Sequence, residues 1–133
     1  MDRGRSCERV LVVNDDPDMV ASMKDVLEVQ GLAVRGAIGA QEAEEVLASG
    51  FLPDVILMDV RLGGGDRGDV MARRLRSEHR LARAPIVLMS GDARELQRLE
   101  PNADAVLLKP FDPEHLVETL EEVCRAGPKG NEP

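Results

Sequence analysis

A small set of acidic, hydroxyl and ammonium residues stands at the ends of apolar stretches of the sequence. Asn14 and Asp15 follow one such stretch, Asp59 ends another, and Ser90 and Lys109 end two more. Clustered carboxylates bind Mg²⁺, and an ionised carboxylate can attack a phosphoryl group and carry it as an acyl phosphate. An ammonium group and a hydroxyl would then neutralise charge on the transferred group. These residue types therefore suit phosphoryl transfer, provided that the fold brings them together.

Five short apolar stretches alternate with stretches whose apolar residues recur at helical intervals. The apolar stretches lie at residues 10–13, 32–37, 54–59, 85–89 and 105–108. Consecutive β/α units predict a parallel sheet with right-handed crossovers and helices on both faces. Ligands and chemistry gather outside the carboxyl ends of the strands in such a sheet. The predicted fold therefore brings the polar residues to one edge.

The spacing predicts a third helix over residues 69–77, with Val70, Met71 and Leu75 facing the core, and a short fourth helix that Pro101 ends. We predict one domain over residues 9–126. Residues 1–8 are expected to form a flexible N-terminus and residues 127–133 a flexible tail.

Composition excludes several classes of function. The chain has 133 residues, a net charge of −8 and only two aromatic residues, both Phe. The negative charge and the scarcity of aromatic side chains argue against nucleic-acid binding, which needs a basic face or stacking surfaces. No apolar run is long enough to cross a membrane, and we expect a cytoplasmic protein. Cys7 and Cys124 lie far apart in sequence, and the helical spacing around Cys124 predicts a buried free thiol.

Each candidate residue also has a simpler structural interpretation. The first helix could be capped by Asp15, Asp16 or Asp18. Ser90 could be an ordinary turn residue, and Lys109 could be a charge in solvent. The histidines, His79 and His115, lie in polar helical stretches without a paired ligand or nucleophile, so they are predicted to be surface residues. The combination of positions at several strand ends favours the chemical interpretation.

The sequence resembles the receiver domain of two-component response regulators over residues 9–124. The motifs that carry the resemblance are Val12-Val13-Asn14-Asp15-Asp16-Pro17, Asp54-Val55-Ile56-Leu57-Met58-Asp59, Pro85-Ile86-Val87-Leu88-Met89-Ser90 and Leu108-Lys109-Pro110-Phe111. The resemblance implies an α/β, flavodoxin-like, doubly wound fold with five parallel strands in the order 2-1-3-4-5 and five helices; a receiver protein is a standard example of this strand order.

The resemblance also implies a function. Asp59 would accept phosphate from a histidine kinase or a histidine phosphotransfer protein in a Mg²⁺-dependent reaction, with Ser90 as the switch hydroxyl and Lys109 as the phosphoryl-binding ammonium. The protein would be a stand-alone receiver, similar to chemotaxis regulators, that signals through contacts with a downstream protein. It would not be an enzyme beyond promoting its own phosphorylation and slow dephosphorylation. The sequence leaves open the oligomeric state and whether the chain end is natural or a shortened linker.

The implied metal site departs from the family pattern. Asp15, Asp59 and the backbone carbonyl of Arg61 would bind Mg²⁺, but Asn14 takes the place of the second carboxylate that normally follows the first strand. Asp16 occupies a third, variable position, and whether it contributes to metal binding stays open.

Other departures concern the switch and the lifetime of the signal. Gly63 replaces the usual loop proline, Gly68 indicates one inserted residue, Val106 replaces the switch aromatic, and the fourth helix is shorter by nearly a turn. Arg61 and Asp92 occupy the positions that flank the path of the hydrolytic water, so they are candidate modulators of dephosphorylation. An ion pair between them across the mouth of the site would slow hydrolysis.

Two other functions remain as alternatives. A phosphorylation-independent interaction module with a receiver-like fold would fit Asn14, Val106 and the short helix. A phosphohydrolase with an aspartate nucleophile needs a second acid two residues after the nucleophile, and that position is Arg61.

Overall fold

The computed structural model describes residues 7–78 and 81–128. Five parallel strands form one sheet in the order β2-β1-β3-β4-β5, which confirms the predicted flavodoxin-like fold. The strands are β1 (Arg9–Val13), β2 (Ala33–Ala37), β3 (Val55–Asp59), β4 (Ile86–Ser90) and β5 (Ala105–Leu108). The helices are α1 (Pro17–Val29), α2 (Ala40–Ala48), α3 (Gly68–Arg76), α4 (Ala93–Leu99) and α5 (Pro113–Ala126), with a 3-10 turn at Glu100–Asn102 after α4.

The core has two layers because successive strand residues point to opposite faces of the sheet. Leu11 and Ile56 belong to the layer beneath α2, α3 and α4, whereas Val12 and Leu57 belong to the layer beneath α1 and α5. All residues of β3 and β4 are buried, as expected for central strands that are covered on both faces. These two strands therefore form a rigid support for the residues at their ends.

The third helix agrees with the prediction in part. Met71 and Leu75 are buried as predicted, but Val70 is 54% exposed, so its predicted inward orientation is wrong. Met71 and Leu75 are four positions apart in α3, so they lie on one face of the helix. Val70 is one position before Met71 and therefore lies about 100° away around the helix axis. The fourth helix has only seven residues and ends where Pro101 enters the 3-10 turn, as predicted.

Cys124 is buried as predicted, but the prediction that its thiol is free is wrong, because Cys7 and Cys124 form a disulfide whose Cα atoms are 5.8 Å apart. Cys7 precedes β1, and Cys124 lies in the last turn of α5. In this fold the helices run back across the sheet, so the end of α5 and the beginning of β1 lie at the same edge, opposite the polar residues. A separation of 117 residues in sequence therefore becomes a short distance in space.

Cys7 and Glu8, which fall in the predicted flexible N-terminus, are held in the fold. The backbone N–H groups of Glu8 and Arg9 donate hydrogen bonds to Asp54 Oδ2 at 2.7 and 2.8 Å. Residues 1–6 and 129–133 and His79 lie outside the described residues, so the predictions for them are not tested. His115 is exposed, as predicted. Within the described part of the chain, no helix is both long and apolar enough to cross a membrane.

Candidate phosphoryl-acceptor site

The ends of four strands bring the predicted site residues to one edge of the sheet. Asp59 is the last residue of β3 and Ser90 the last residue of β4, while Asn14 and Lys109 directly follow β1 and β5. The strand register pairs Asp59 with Met89, and Ser90 with Leu108. The order of strands thus places Asp59 between the acidic residues after β1 and the hydroxyl and ammonium groups of β4 and β5.

Asp59 and Lys109 form the centre of the site. The Lys109 ammonium lies 2.7 Å from Asp59 Oδ2, and only 4% of Asp59 is exposed. The other carboxylate oxygen, Oδ1, accepts a hydrogen bond from the Arg61 N–H at 3.4 Å, which is long and therefore weak. The Lys109 N–H donates to the Ser90 carbonyl at 2.8 Å, and the peptide bond between Lys109 and Pro110 is cis. One oxygen of a buried, charge-paired carboxylate is therefore held only weakly.

The acidic segment after β1 divides into three different environments. Asn14 is 1% exposed, and its Oδ1 accepts the Asp16 N–H at 3.0 Å, while its Nδ2 has no hydrogen-bond partner among the described residues. The Asp16 carboxylate caps α1 by accepting the Asp18 N–H at 3.0 Å. Asp15 is exposed and lies beneath the loop after β3, because a Cβ at Gly63 would be 3.4 Å from Asp15 Oδ2. Asp16 therefore acts as the helix cap, and Asp15 faces the loop that follows Asp59.

The donors available for a cation fit Mg²⁺ in type. Among the described residues, no group of three or more His, Cys, Asp or Glu side chains has the geometry of a metal site. Mg²⁺, however, usually takes one or two carboxylates and keeps several waters, so it needs no such group. Asp15 and Asp59 offer two carboxylates, and Arg61 offers a backbone carbonyl. Asn14 is less suited as a ligand, because its amide oxygen already accepts the Asp16 N–H.

The loop between β3 and α3 is a small hairpin that turns at three glycines. Gly63, Gly64 and Gly65 all have positive φ, a conformation that other residues rarely adopt, and an antiparallel bridge joins Arg61 to Arg67. The bridge places the two arginines next to each other at the rim of the site. The extra residue indicated by Gly68 thus belongs to a loop that presents two guanidinium groups.

Both guanidinium groups reach Glu95, a residue that the sequence analysis missed. Glu95 Oε2 lies 3.2 Å from Arg67 and 3.7 Å from Arg61, and Glu95 is only 5% exposed. Its other oxygen, Oε1, accepts the Ser90 hydroxyl at 3.0 Å. Burial favours the neutral form of Glu95, but the hydrogen bonds from Ser90 and Arg67 and the charge of Arg61 outweigh it and lower the pKa. The hydrogen bond with Glu95 raises the pKa of Arg67 in turn.

The sequence contains a signal for Glu95. Asp92 and Glu95 have the three-residue spacing of a capping box, in which the acid at the third helical position reaches back to the cap's own N–H. Half of this motif is present, because Asp92 Oδ1 accepts the Arg94 and Glu95 N–H groups at 3.0 and 3.2 Å. The Asp92 N–H instead donates to Ser90 Oγ at 3.0 Å. The Ser90 hydroxyl thus sits between the two groups that a capping box would join.

The predicted ion pair between Arg61 and Asp92 is wrong. The Asp92 carboxylate caps α4, whereas Arg61 extends toward Glu95. The reason is that Asp92, the N-cap residue of α4, already accepts hydrogen bonds from backbone N–H groups. Glu95, in contrast, is a buried acid that needs positively charged neighbours.

A comparison with protein families matches residues 10–121 to the response regulator receiver domain. The chain belongs to this family of signalling modules, as its motifs predicted. The receiver is 33% identical over 127 residues to the phosphate regulon transcriptional regulatory protein PhoB of Pseudomonas aeruginosa, and 35% identical over 124 residues to the transcriptional regulatory protein AruR of the same organism. These matches cover 92% and 88% of the chain but only 55% and 49% of PhoB and AruR, so the chain spans about half the length of these relatives.

Solved receiver structures share the fold over nearly their whole length. The chemotaxis response regulator CheY4 of Vibrio cholerae superposes with a TM-score of 0.78 at 26% identity, covering 89% of this receiver and 99% of CheY4. The response regulator TrrA of Thermotoga maritima, solved in complex with Mg²⁺ and BeF, superposes with a TM-score of 0.76 at 26% identity, covering 87% and 98% of the two chains.

Proposed function

We propose that this receiver accepts a phosphoryl group on Asp59 from the phosphohistidine of a histidine kinase or a histidine phosphotransfer protein. The observation that carries the proposal is the buried Asp59 carboxylate at the end of β3 with the Lys109 ammonium 2.7 Å away. A carboxylate in this position is an anionic nucleophile, and it needs no general base because it has no proton to lose.

The transfer forms one bond and breaks one bond. An Asp59 carboxylate oxygen attacks phosphorus, the phosphorus–nitrogen bond to the donor histidine breaks, and the imidazole nitrogen keeps the electron pair. Lys109 pairs with Asp59 beforehand and is placed to donate to an oxygen of the arriving phosphoryl group. Asp59 then carries an acyl phosphate.

Mg²⁺ is the cofactor of the proposed reaction. The carboxylates of Asp15 and Asp59 and the Arg61 carbonyl would hold the ion, with Asn14 as a neutral neighbour in place of a further acid. When bound, Mg²⁺ supplies positive charge next to the phosphoryl oxygens. The Mg²⁺ and BeF complex of TrrA supports this assignment by similarity.

The output of the receiver is proposed to be a contact with a downstream protein, without nucleic acid or membrane as a partner. The net charge of −8 supports this, because a phosphate backbone or an anionic lipid surface would be repelled. The proposed location is the cytoplasm, where thiols are kept reduced, so the disulfide of Cys7 and Cys124 would be open there for much of the time.

Intact mass tests the proposal directly. The wild-type protein, treated with acetyl phosphate and Mg²⁺, should gain the mass of one phosphoryl group, and Asp59→Asn should gain none. Asp66→Asn is the matched control, since Asp66 is an exposed acid in the same loop, and it should be modified like the wild type. Modification of Asp59→Asn, or none of the wild type, would contradict the proposal.

The same experiment separates the alternatives. A phosphorylation-independent interaction module has some support, because Ser90 already donates its hydroxyl to Glu95 and Val106 replaces an aromatic. Such a module would remain unmodified. A phosphohydrolase would turn over small phosphate esters repeatedly, but Arg61 stands where that mechanism needs an acid.

A further inference from the structure

The Ser90 hydroxyl is already hydrogen-bonded to α4 and its cap before any phosphoryl group arrives. A serine hydroxyl has one proton to donate, and Ser90 donates it to Glu95 Oε1 at 3.0 Å. Ser90 Oγ also accepts the Asp92 N–H at 3.0 Å. Donation to a phosphoryl group on Asp59 therefore requires that the bond to Glu95 be broken.

Glu95 is well placed to remain the acceptor of the Ser90 hydrogen bond. Its carboxylate is 5% exposed, and three guanidinium groups surround Oε2: Arg67 at 3.2 Å, Arg61 at 3.7 Å and Arg98 at 3.9 Å. Arg67 and Arg61 help to lower the pKa of Glu95, and a hydrogen bond to an ionised acceptor is about twice as strong as a neutral one.

We infer that Glu95 is a positioning residue that competes with the phosphoryl group on Asp59 for the Ser90 hydroxyl. The inference rests on the proposed phosphorylation of Asp59 and adds a regulatory role for a residue on α4. The unphosphorylated state is stabilised by the bond between Ser90 and Glu95, and the phosphorylated state must replace it.

The same contacts connect the switch to α4. Glu95 and Asp92 belong to the first turn of α4 and its cap, and each makes a hydrogen bond with Ser90 Oγ. When Ser90 turns toward Asp59, the first turn of α4 loses its hydrogen bond with the Ser90 hydroxyl. Arg67 and Arg61 lie on the loop that follows Asp59, and both pair with Glu95. A movement of this loop on phosphorylation would therefore also displace the first turn of α4.

A double-mutant cycle on beryllofluoride binding tests the inference. Glu95→Gln keeps the shape of the side chain but weakens its hold on the Ser90 hydroxyl, so the apparent affinity for beryllofluoride with Mg²⁺ should rise about fivefold. In the Ser90→Ala background there is no hydroxyl to compete for, so Glu95→Gln should leave the affinity unchanged. Binding is measured by titration followed by NMR chemical shifts.

Two further variants keep the test decisive. Glu95→Asp retains the charge near the arginines but shortens the reach to Ser90, so it should raise the affinity in the same direction even if Glu95→Gln folds poorly. Glu118→Gln makes the same chemical change at an exposed position on α5 and should have no effect.

The outcomes separate this inference from the proposed function. A wild-type protein that binds beryllofluoride, together with unchanged affinity in both Glu95 variants, would overturn the role of Glu95 alone. An equal effect in the Ser90→Ala background would overturn it as well, since Glu95 would then act without Ser90. A wild-type protein that neither binds beryllofluoride nor is phosphorylated would overturn the proposed function and this inference with it.

Discussion

Within residues 7–78 and 81–128, the buried amide nitrogen of Asn14 has no hydrogen-bond partner, and it lies at the strand end beside β3. Replacing Asn14 with Asp would place a second carboxylate in a buried position close to other acids. Mutual repulsion and burial disfavour this charge, whereas a divalent cation favours it. At the proposed cation site, Asn14 would therefore bind a cation less tightly than Asp but would lower the repulsion between acids in the cation-free protein.

We predict that Asn14→Asp binds Mg²⁺ about tenfold more tightly than the wild type, and that without Mg²⁺ its free energy of unfolding is lower by about 1–3 kcal/mol. Calorimetric titration and urea unfolding, each with and without Mg²⁺, measure the two effects. Asn102→Asp, an exposed change of the same kind, serves as the control. Equal Mg²⁺ affinities would show that another group already supplies the charge.

Arg61 bears on how long a phosphoryl group would remain on Asp59. Its side chain is 69% exposed, and a guanidinium group has only donors, so it cannot accept a hydrogen bond from an attacking water. We predict slow self-dephosphorylation that Arg61→Asn accelerates by up to about fivefold, since exposed ion pairs contribute about 0–1 kcal/mol. Adding Asp92→Glu, which disturbs the cap of α4, should accelerate decay further.

Decay of the phosphorylated protein, followed by intact mass, measures these rates. Arg94→Asn, an exposed arginine on α4, is the control and should decay like the wild type. Unchanged decay in Arg61→Asn would show that Arg61 does not restrict the water.

Individual site residues differ in how well the sequence predicts them. Asp59, Ser90 and Lys109 were predictable because each ends or directly follows an apolar strand, and the topology of a parallel sheet then brings them together. The capping-box spacing marks Glu95 as a partner of the Asp92 N–H but does not predict its burial or its contact with Ser90, because an acid in the first turn of a helix is normally solvated. Its burial depends on two arginines that are distant in sequence and on the Ser90 hydroxyl.

At the scale of elements, α3 begins where the chain passes very close to the end of β3. The Gly68 N–H donates to the Val60 carbonyl at 2.6 Å, and a Cβ at Gly68 would lie 2.0 Å from the Asp59 carbonyl oxygen. Any other residue at Gly68 would displace either the helix or the strand that carries Asp59.

We predict that Gly68→Ala lowers the free energy of unfolding by about 2–3 kcal/mol and slows phosphorylation by acetyl phosphate. Urea unfolding and the rate of mass gain test the two effects. Gly91→Ala is the control for stability, because a Cβ at Gly91 would meet no atom of the described residues within 4 Å, its two chain neighbours aside. A stability of Gly68→Ala equal to that of Gly91→Ala would contradict the close packing described for Gly68.

The elements themselves follow from the sequence more readily than the loop between them. Periodicity predicts the strands, and Pro101 predicts the short α4. The hairpin after β3 was not predicted, because three consecutive glycines specify a sharp turn but not its direction. The direction of that turn decides that Arg61 meets Glu95 and leaves Asp92 as a helix cap.

At the scale of the whole molecule, the disulfide joins the start of the first strand to the end of the last helix. We predict that Cys7→Ala combined with Cys124→Ala lowers the free energy of unfolding by about 2–5 kcal/mol, because the bond closes a loop of 117 residues in the unfolded chain. Urea unfolding without reductant measures the loss. With a reductant, the wild type and the double variant should coincide, and a persistent difference would mean that the side chains matter for packing instead.

The disulfide shows the limit of spacing as a guide. Patterns of nearby cysteines signal bridges or metal sites, and two distant cysteines give no such signal. The topology of the sheet does give one, because the starts of the strands and the ends of the helices share an edge in this fold.

The bridge between Cys7 and Cys124 also determines how the protein would respond to mechanical force. With the sulfurs joined, the backbone from residue 7 to residue 124 is a closed covalent ring that contains every strand of the sheet. Tension applied to the chain on either side of the bridge would pass through the sulfur–sulfur bond, and the strands inside the ring would carry no load.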